Sequence, residues 1–206
     1  MITGLWGRKI GMTQLFNKDK VLPVTAIDIT GWYVTDIKTV ARDGYDAVQL
    51  GLLRNRYIEQ AFSQDWLKKL KHHFVAVREI KLAKAIDDIV VGQQAQTFLT
   101  QFAEGQTVDV VGITKGCGFA GVVRRHGFTG ARASHGSKMG RRPGSLSFMR
   151  SQGRVIKGKK MPGHMGTERR IMKNLSIAKI EHDARIFFVK GSVPGKSGSL
   201  VFVRKA

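Results

Sequence analysis

The sequence predicts a mainly β protein, a closed barrel or a sandwich, with a long glycine-rich polycationic segment set between two of its strands. Three observations lead there. Short β-favouring runs follow one another at close spacing, turn signals separate them, and acidic residues vanish from one contiguous stretch.

The strands come in order at residues 21–29, 32–40, 47–53, 75–82, 107–114, 175–180, 185–190 and 200–204. Arg-Asp-Gly at 42–44, Glu-Gly at 104–105 and the Gly/Pro/Ser cluster at 191–199 supply the turns between them. One segment breaks the alternation. Ile58, Phe62, Trp66, Leu70 and Phe74 recur every fourth residue, the apolar stripe of an amphipathic helix, with Lys68, Lys69 and Lys71 between stripe positions. The stripe reads as a core-covering helix within a small helical insertion at about 55–103.

Charge sets the class of partner. The 206 residues hold 35 Lys and Arg against 15 Asp and Glu, a net of +20, and such a domain repels itself unless a polyanion neutralises it. At 42% hydrophobic the chain is too apolar for disorder throughout. A single cysteine, Cys117, excludes an intramolecular disulfide framework and fits a reducing compartment. No apolar run approaches the roughly 18 residues of a spanning helix. Arg8 and Lys9 stand too late for a secretory signal, so a soluble intracellular protein is expected.

The charge is concentrated. Between Asp109 and Glu168 lie 58 residues without a carboxylate. Residues 112–173 contain 15 basic residues, one acid, 13 of the 24 glycines and three aromatics, whereas the rest of the chain balances 20 basic against 14 acidic residues. The expected organisation is a globular β domain from 1–113 and 174–206, interrupted by an extension at 114–173. The extension is too poor in apolar residues to build a core, and ordering it costs about 1–2 kcal/mol per residue, so a partner must supply the stability.

RNA fits that role. Lys and Arg neutralise phosphates and release counterions. Glycine lets the backbone approach the phosphodiester. Arg-Arg pairs present planar forks that grip phosphate or stack on bases, and histidine adds flat polar rings. The candidate RNA-binding residues are Arg8, Lys9, Lys115, Arg124, Arg125, His126, Arg132, His135, Lys138, Arg141, Arg142, Arg150, Arg154, Lys157, Lys159, Lys160, His164, Arg169 and Arg170. A solvated linker would waste the scattered Phe119, Phe128, Phe148, Met161 and Met165. Lipid binding lacks an amphipathic helix or acyl signal here, so no membrane partner is expected.

Enzymatic look-alikes fail on chemistry. Gly116, Gly118 and Gly121 match GxGxxG, but no acid follows within about 20 residues to hold a ribose. The run from Gly153 to Gly158 and Lys159 resembles a P-loop but places Lys160 where a hydroxyl must hold magnesium. Cys117 with dispersed histidines lacks zinc-ligand spacing. No catalytic residue, cofactor, metal or small-molecule substrate is expected. The alternatives to a structural RNA-binding role are an RNA-modifying enzyme and a free basic RNA chaperone.

Collinear motifs run through the chain: Gly4-Leu-Trp-Gly-Arg-Lys-Ile-Gly-Met-Thr-Gln-Leu-Phe16, Asp43-Gly-Tyr45, Val108 to Gly121, Ser134-His-Gly-Ser-Lys138, Arg142-Pro-Gly-Ser145, Lys157 to Gly166 and Val189 to Gly195. In these the sequence resembles large-subunit ribosomal protein three of bacterial type, over essentially its whole length except near 55–103. The resemblance implies a six-stranded translation-factor-like β-barrel on the outer surface of the large subunit. It also implies an extension that penetrates the large-subunit ribosomal RNA toward the peptidyl transferase centre, with a tip at about Gly140 to Arg154. Members bind that RNA early, nucleate assembly and lie beside other large-subunit proteins, in the cytoplasm or in an organelle. Three departures stand out against the family pattern. Cys117 replaces a usual basic residue, and Ser147 and Gln152 replace a glycine and a proline. Arg150 stands where relatives carry a methylatable glutamine, so that modification is expected to be absent.

Overall fold

A computed structural model describes residues 3–17, 20–58, 60, 62–82, 89–147 and 153–205. Strands β1 (Gly4–Asn17) and β2 (Lys20–Asp28) open the chain, followed by β3 (Trp32–Lys38), the short helix α1 (Val40–Asp43), β4 (Ala47–Leu53), β5 (Phe74–Lys81) and β6 (Thr107–Ile113). Short strands β7 (Gly118–Ala120) and β8 (Gly163–Met165) come next, then β9 (Arg169–Glu181), β10 (Ile186–Lys190) and β11 (Leu200–Lys205). The chain divides into two compact units, Met1–Ile113 with Arg169–Ala206, and Thr114–Glu168.

In the first unit six antiparallel strands close a barrel in the order β1-β11-β6-β9-β10-β2, and β3, β4 and β5 form a separate sheet. The closed, mainly β architecture expected from the sequence is the one observed. Leu5, Ile27, Val110, Ile177, Phe187, Val189, Val201 and Val203 from the barrel share one apolar cluster with Trp32, Val34, Leu50 and Ile80 from the sheet. Each such side chain, taken fully from water, contributes about 1.5–3 kcal/mol. Gly7 lets the barrel close: a Cβ at that position would collide with Ile27 of the neighbouring strand.

The continuous helix expected over the 58–74 stripe does not form. The segment folds instead as a 3₁₀ turn at Asn55–Tyr57 and two four-residue helices, α2 (Asp65–Lys68) and α3 (Leu70–His73), before Phe74 opens β5. Residues four apart drift about 40° per step around a helix, so five of them spread over about 160° and no straight helix lays them all on one surface. A break at Lys69 (φ −132°, ψ 61°) resolves the conflict, and Trp66 and Phe74 both reach a cluster with Tyr33 and Leu53. Among the described residues, the region expected to be a helical insertion holds short helices on both sides of a strand, with a 3₁₀ helix at Ala95–Gln101 after β5.

Strand β9 takes in the last five residues of the expected extension, 169–173. Arg169, Arg170, Ile171 and Met172 pair with Ile113, Gly112, Val111 and Val110 of β6. Charge placed these residues with the arm, but the apolar run of β6 requires a partner along its full length. A bulge follows in this ladder, where Asn174 takes a left-handed conformation (φ 57°) and donates its N–H to Asp109 Oδ1 at 3.1 Å.

Asp109 is 5% exposed, and Arg204 donates to its Oδ2 through Nη2 at 2.8 Å and Nε at 3.2 Å. The Arg204 guanidinium and the Asn174 N–H hold the carboxyl below the usual carboxylate range. A lowered folded-state pKa gives stability that is complete above the ordinary value of about 3.9 and is lost as pH falls through the lowered one. Asp109→Asn is expected to cost roughly 1–3 kcal/mol at pH 6. In urea unfolding followed by tryptophan fluorescence, its deficit against the parent chain should shrink as pH drops toward 2. A deficit independent of pH would contradict the assignment.

Candidate nucleic-acid interface

The second unit is built almost without a core. β7 and β8 pair through Gly118↔Met165, Phe119↔His164 and Ala120↔Gly163. Helix α4 (Val122–His126) follows, closed by Gly127 in a left-handed conformation (φ 70°). Ala120 and Val122 are its buried apolar residues among those described. Polar contacts supply the remaining order. Arg125 Nη1 donates to the Met161 carbonyl at 2.8 Å, and His126 Nε2 lies 3.0 Å from the same oxygen. Cys117 N–H donates to the Met165 carbonyl at 2.8 Å, and at the root Thr114 N–H donates to the Glu168 carbonyl at 2.9 Å. Beyond α4, the loop closes on itself where Ala131 N–H donates to the Gly140 carbonyl at 2.8 Å.

Most sequence-predicted residues lie at the surface. Lys115, Arg124, Arg132, His135, Lys138, Arg141, Arg142, Arg154, Lys157, Lys159, Lys160 and His164 are exposed in this unit. Arg125 and His126 are half-buried, because their side chains tie α4 to Met161. Arg169 and Arg170 are exposed on β9, and Arg8 is half-buried on β1, in the barrel unit. Arg150, like Phe148 and Gln152, lies outside the described residues. From Thr114 to Glu168 the sequence offers one carboxylate, Glu168 itself, so the cations of this unit meet almost no internal counter-charge. Among the described residues no group of three or more His, Cys, Asp or Glu side chains is placed to hold a metal ion.

Lys9 departs from its expected role as a phosphate contact. It is 9% exposed, and its Nζ donates to the carbonyls of Val193 at 2.7 Å and Gly195 at 3.0 Å. Its backbone joins the same loop, donating to Ser199 O and accepting from Gly198 N–H. The ammonium therefore clamps the 191–199 loop, and the mixture of Arg8 and Lys9 in one basic pair concealed that strand alternation turns one of them inward. Lys9→Met is expected to lower barrel stability by roughly 1–3 kcal/mol by leaving buried carbonyls unpaired. Calorimetry should show that loss, while the salt dependence of RNA binding stays unchanged.

One aromatic outside the predicted set lies in the second unit, Thr114–Glu168. Phe119 is 79% exposed and faces His164 across the β7–β8 pair, so two flat rings stand on one face of a ribbon amid cations. Cross-strand neighbours lie within about 5.5 Å at Cβ, close enough to act as one stacking surface. The signal in the sequence was an aromatic in a segment with no core to receive it.

A closed barrel whose chain runs out through a carboxylate-poor cationic unit defines a protein built to meet a polyanion. The family model described as Ribosomal protein L3 matches residues 77–185. Three relatives named large ribosomal subunit protein uL3 align over nearly the full chain. That of Syntrophus aciditrophicus is 40% identical over 97% of this chain and 92% of its own length. That of Carboxydothermus hydrogenoformans is 40% identical and that of Pelotomaculum thermopropionicum 41%, each over 100% of this chain and 98% of its own length. The chain belongs to the ribosomal protein L3 family, and is a structural constituent of the large ribosomal subunit rather than an enzyme.

Proposed function

We propose that the chain binds large-subunit ribosomal RNA directly, nucleates subunit assembly and supports the region near the peptidyl transferase centre. The division of labour is a globular domain that docks on RNA and an extension, about 114–168, that orders between RNA helices. The observation that carries the reading is the run of 58 residues without a carboxylate, most of it in a unit whose described cations, Arg125 apart, are exposed and whose core is nearly absent. Lys115, Arg124, Arg132, Lys138, Arg141, Arg142, Arg154, Lys157, Lys159, Lys160, Arg169 and Arg170 are the phosphate contacts in this reading, with Arg8 and Arg150 beside them. Arg125, His126, His135 and His164 shape the backbone or meet RNA groups, and Phe119 offers a stacking face. Neighbouring large-subunit proteins are the other partners, and the setting is the cytoplasm. The test is neutralisation of the cationic span from Arg141 to Lys160. Large subunits assembled in its presence should lack the chain after a high-salt wash, whereas full incorporation with normal peptide-bond formation would refute the assigned roles.

A further inference from the structure

The hairpin of β1 and β2 runs past the barrel that it helps to close. β11 pairs with β1 over Gly4–Arg8, and β10 pairs with β2 over Val24–Asp28. Beyond a bulge between Lys9 and Gly11, β1 and β2 continue together to the pair Asn17↔Lys20. Side chains alternate between the two faces of this ribbon. On one face Leu15 and Leu22, paired across the strands, pack with Val24, Ala26 and Phe188. The other face carries Met12, Phe16 and Val21, which are 54%, 77% and 53% exposed, with Phe16 directly opposite Val21.

Such a ribbon is costly in water, because a two-stranded hairpin alone is marginally stable and here it also exposes large apolar groups. Its two edges differ. On β2, Pro23 has no N–H to offer and its carbonyl already accepts from Gly191 N–H. On β1, Gly11–Phe16 has no second strand partner among the described residues, so alternate backbone groups face outward as a template for another strand.

Charge decides what covers it. Beyond the bulge, residues 11–26 hold Lys18, Asp19 and Lys20, a net of +1 in a chain of net +20. RNA would find a single excess cation there to set against its phosphates, and a second copy of this chain would bring another +20 against the first. We propose that the ribbon is a docking strand for a different protein of the large subunit. That partner adds a strand along Gly11–Phe16 and covers Phe16 and Val21 with an apolar side chain. The inference rests on incorporation into the large subunit.

Photocrosslinking separates the outcomes. The full chain carrying Phe16→benzoylphenylalanine is expressed in its own cells, and large subunits are isolated before irradiation. Presence of the chain in those subunits is measured first, and its absence overturns the parent reading together with this one. With the chain present, the expected product is one crosslink to one different protein, mapping beside an apolar residue in an edge strand. Met12→benzoylphenylalanine, on the same face, should reach the same protein. Adding Val21→Asp should reduce the yield per incorporated chain at least fivefold. Crosslinks to RNA, to a second copy, to a non-strand segment, or to nothing would each overturn the proposal.

Discussion

Glutamine at Arg141, Arg142, Arg154, Lys157, Lys159 and Lys160 is expected to leave the barrel folded and to remove the chain from mature large subunits. None of the six contributes to the apolar clusters, and all are exposed, so thermal unfolding of the barrel should be unchanged. The loss falls on binding. Each phosphate contact releases about 0.7–0.9 of a counterion, so six contacts account for about four to five units in the slope of log affinity against log salt. At 0.15 M salt that corresponds to roughly three to four orders of magnitude in affinity for the RNA target. Titration of purified chain and variant against large-subunit RNA fragments at several salt concentrations measures both quantities. A parallel slope in the two proteins would mean that these cations do not meet phosphates.

Gly166→Val should be nearly as damaging without changing charge. Gly166 sits at the root of the extension with φ 83°, a conformation that costs a non-glycine residue about 1–2 kcal/mol. The greater obstacle is space: a Cβ there would overlap the Lys115 carbonyl oxygen and press on Gly116 at 3.0 Å. The two limbs of the chain would separate where Cys117 now donates to Met165. Incorporation into subunits is expected to fall at least tenfold, with barrel melting unaffected. Gly158→Ala serves as the control, since Gly158 has a similar φ of 80° but open space around its missing side chain. Equal loss in the two variants would assign the effect to backbone strain rather than to the close approach.

The strands at 47–53 and 107–114 were legible because both their faces are covered. Residues 47–53 coincide with β4, and 107–114 with β6 to within one residue. β1 was not legible as a strand, since Gly4, Gly7 and Gly11 dilute the pattern. At Gly4 and Gly7 the absent side chain is a requirement of close packing against Val203 and Ile27, which local propensity does not register. The start of β9 was hidden for a different reason. Arg169 and Arg170 look like part of the polycation, but their backbones complete the β6 ladder while their side chains remain in solvent. Of the candidate interface, the exposed cations could be read from composition. The inward turn of Lys9 and the pairing of Phe119 with His164 could not, because both depend on strand register.

Ile113 and Arg169 stand directly opposite one another in adjacent antiparallel strands, and the entire span from 114 to 168 departs and returns through that one step of the ladder. On the proposed reading, a segment tethered in this way meets RNA as a closed loop with no free end to feed through a narrow gap. The RNA is then expected to fold around the loop instead of admitting it through a ring already shut, which favours arrival early in particle biogenesis. A subunit completed without this chain should resist its later addition.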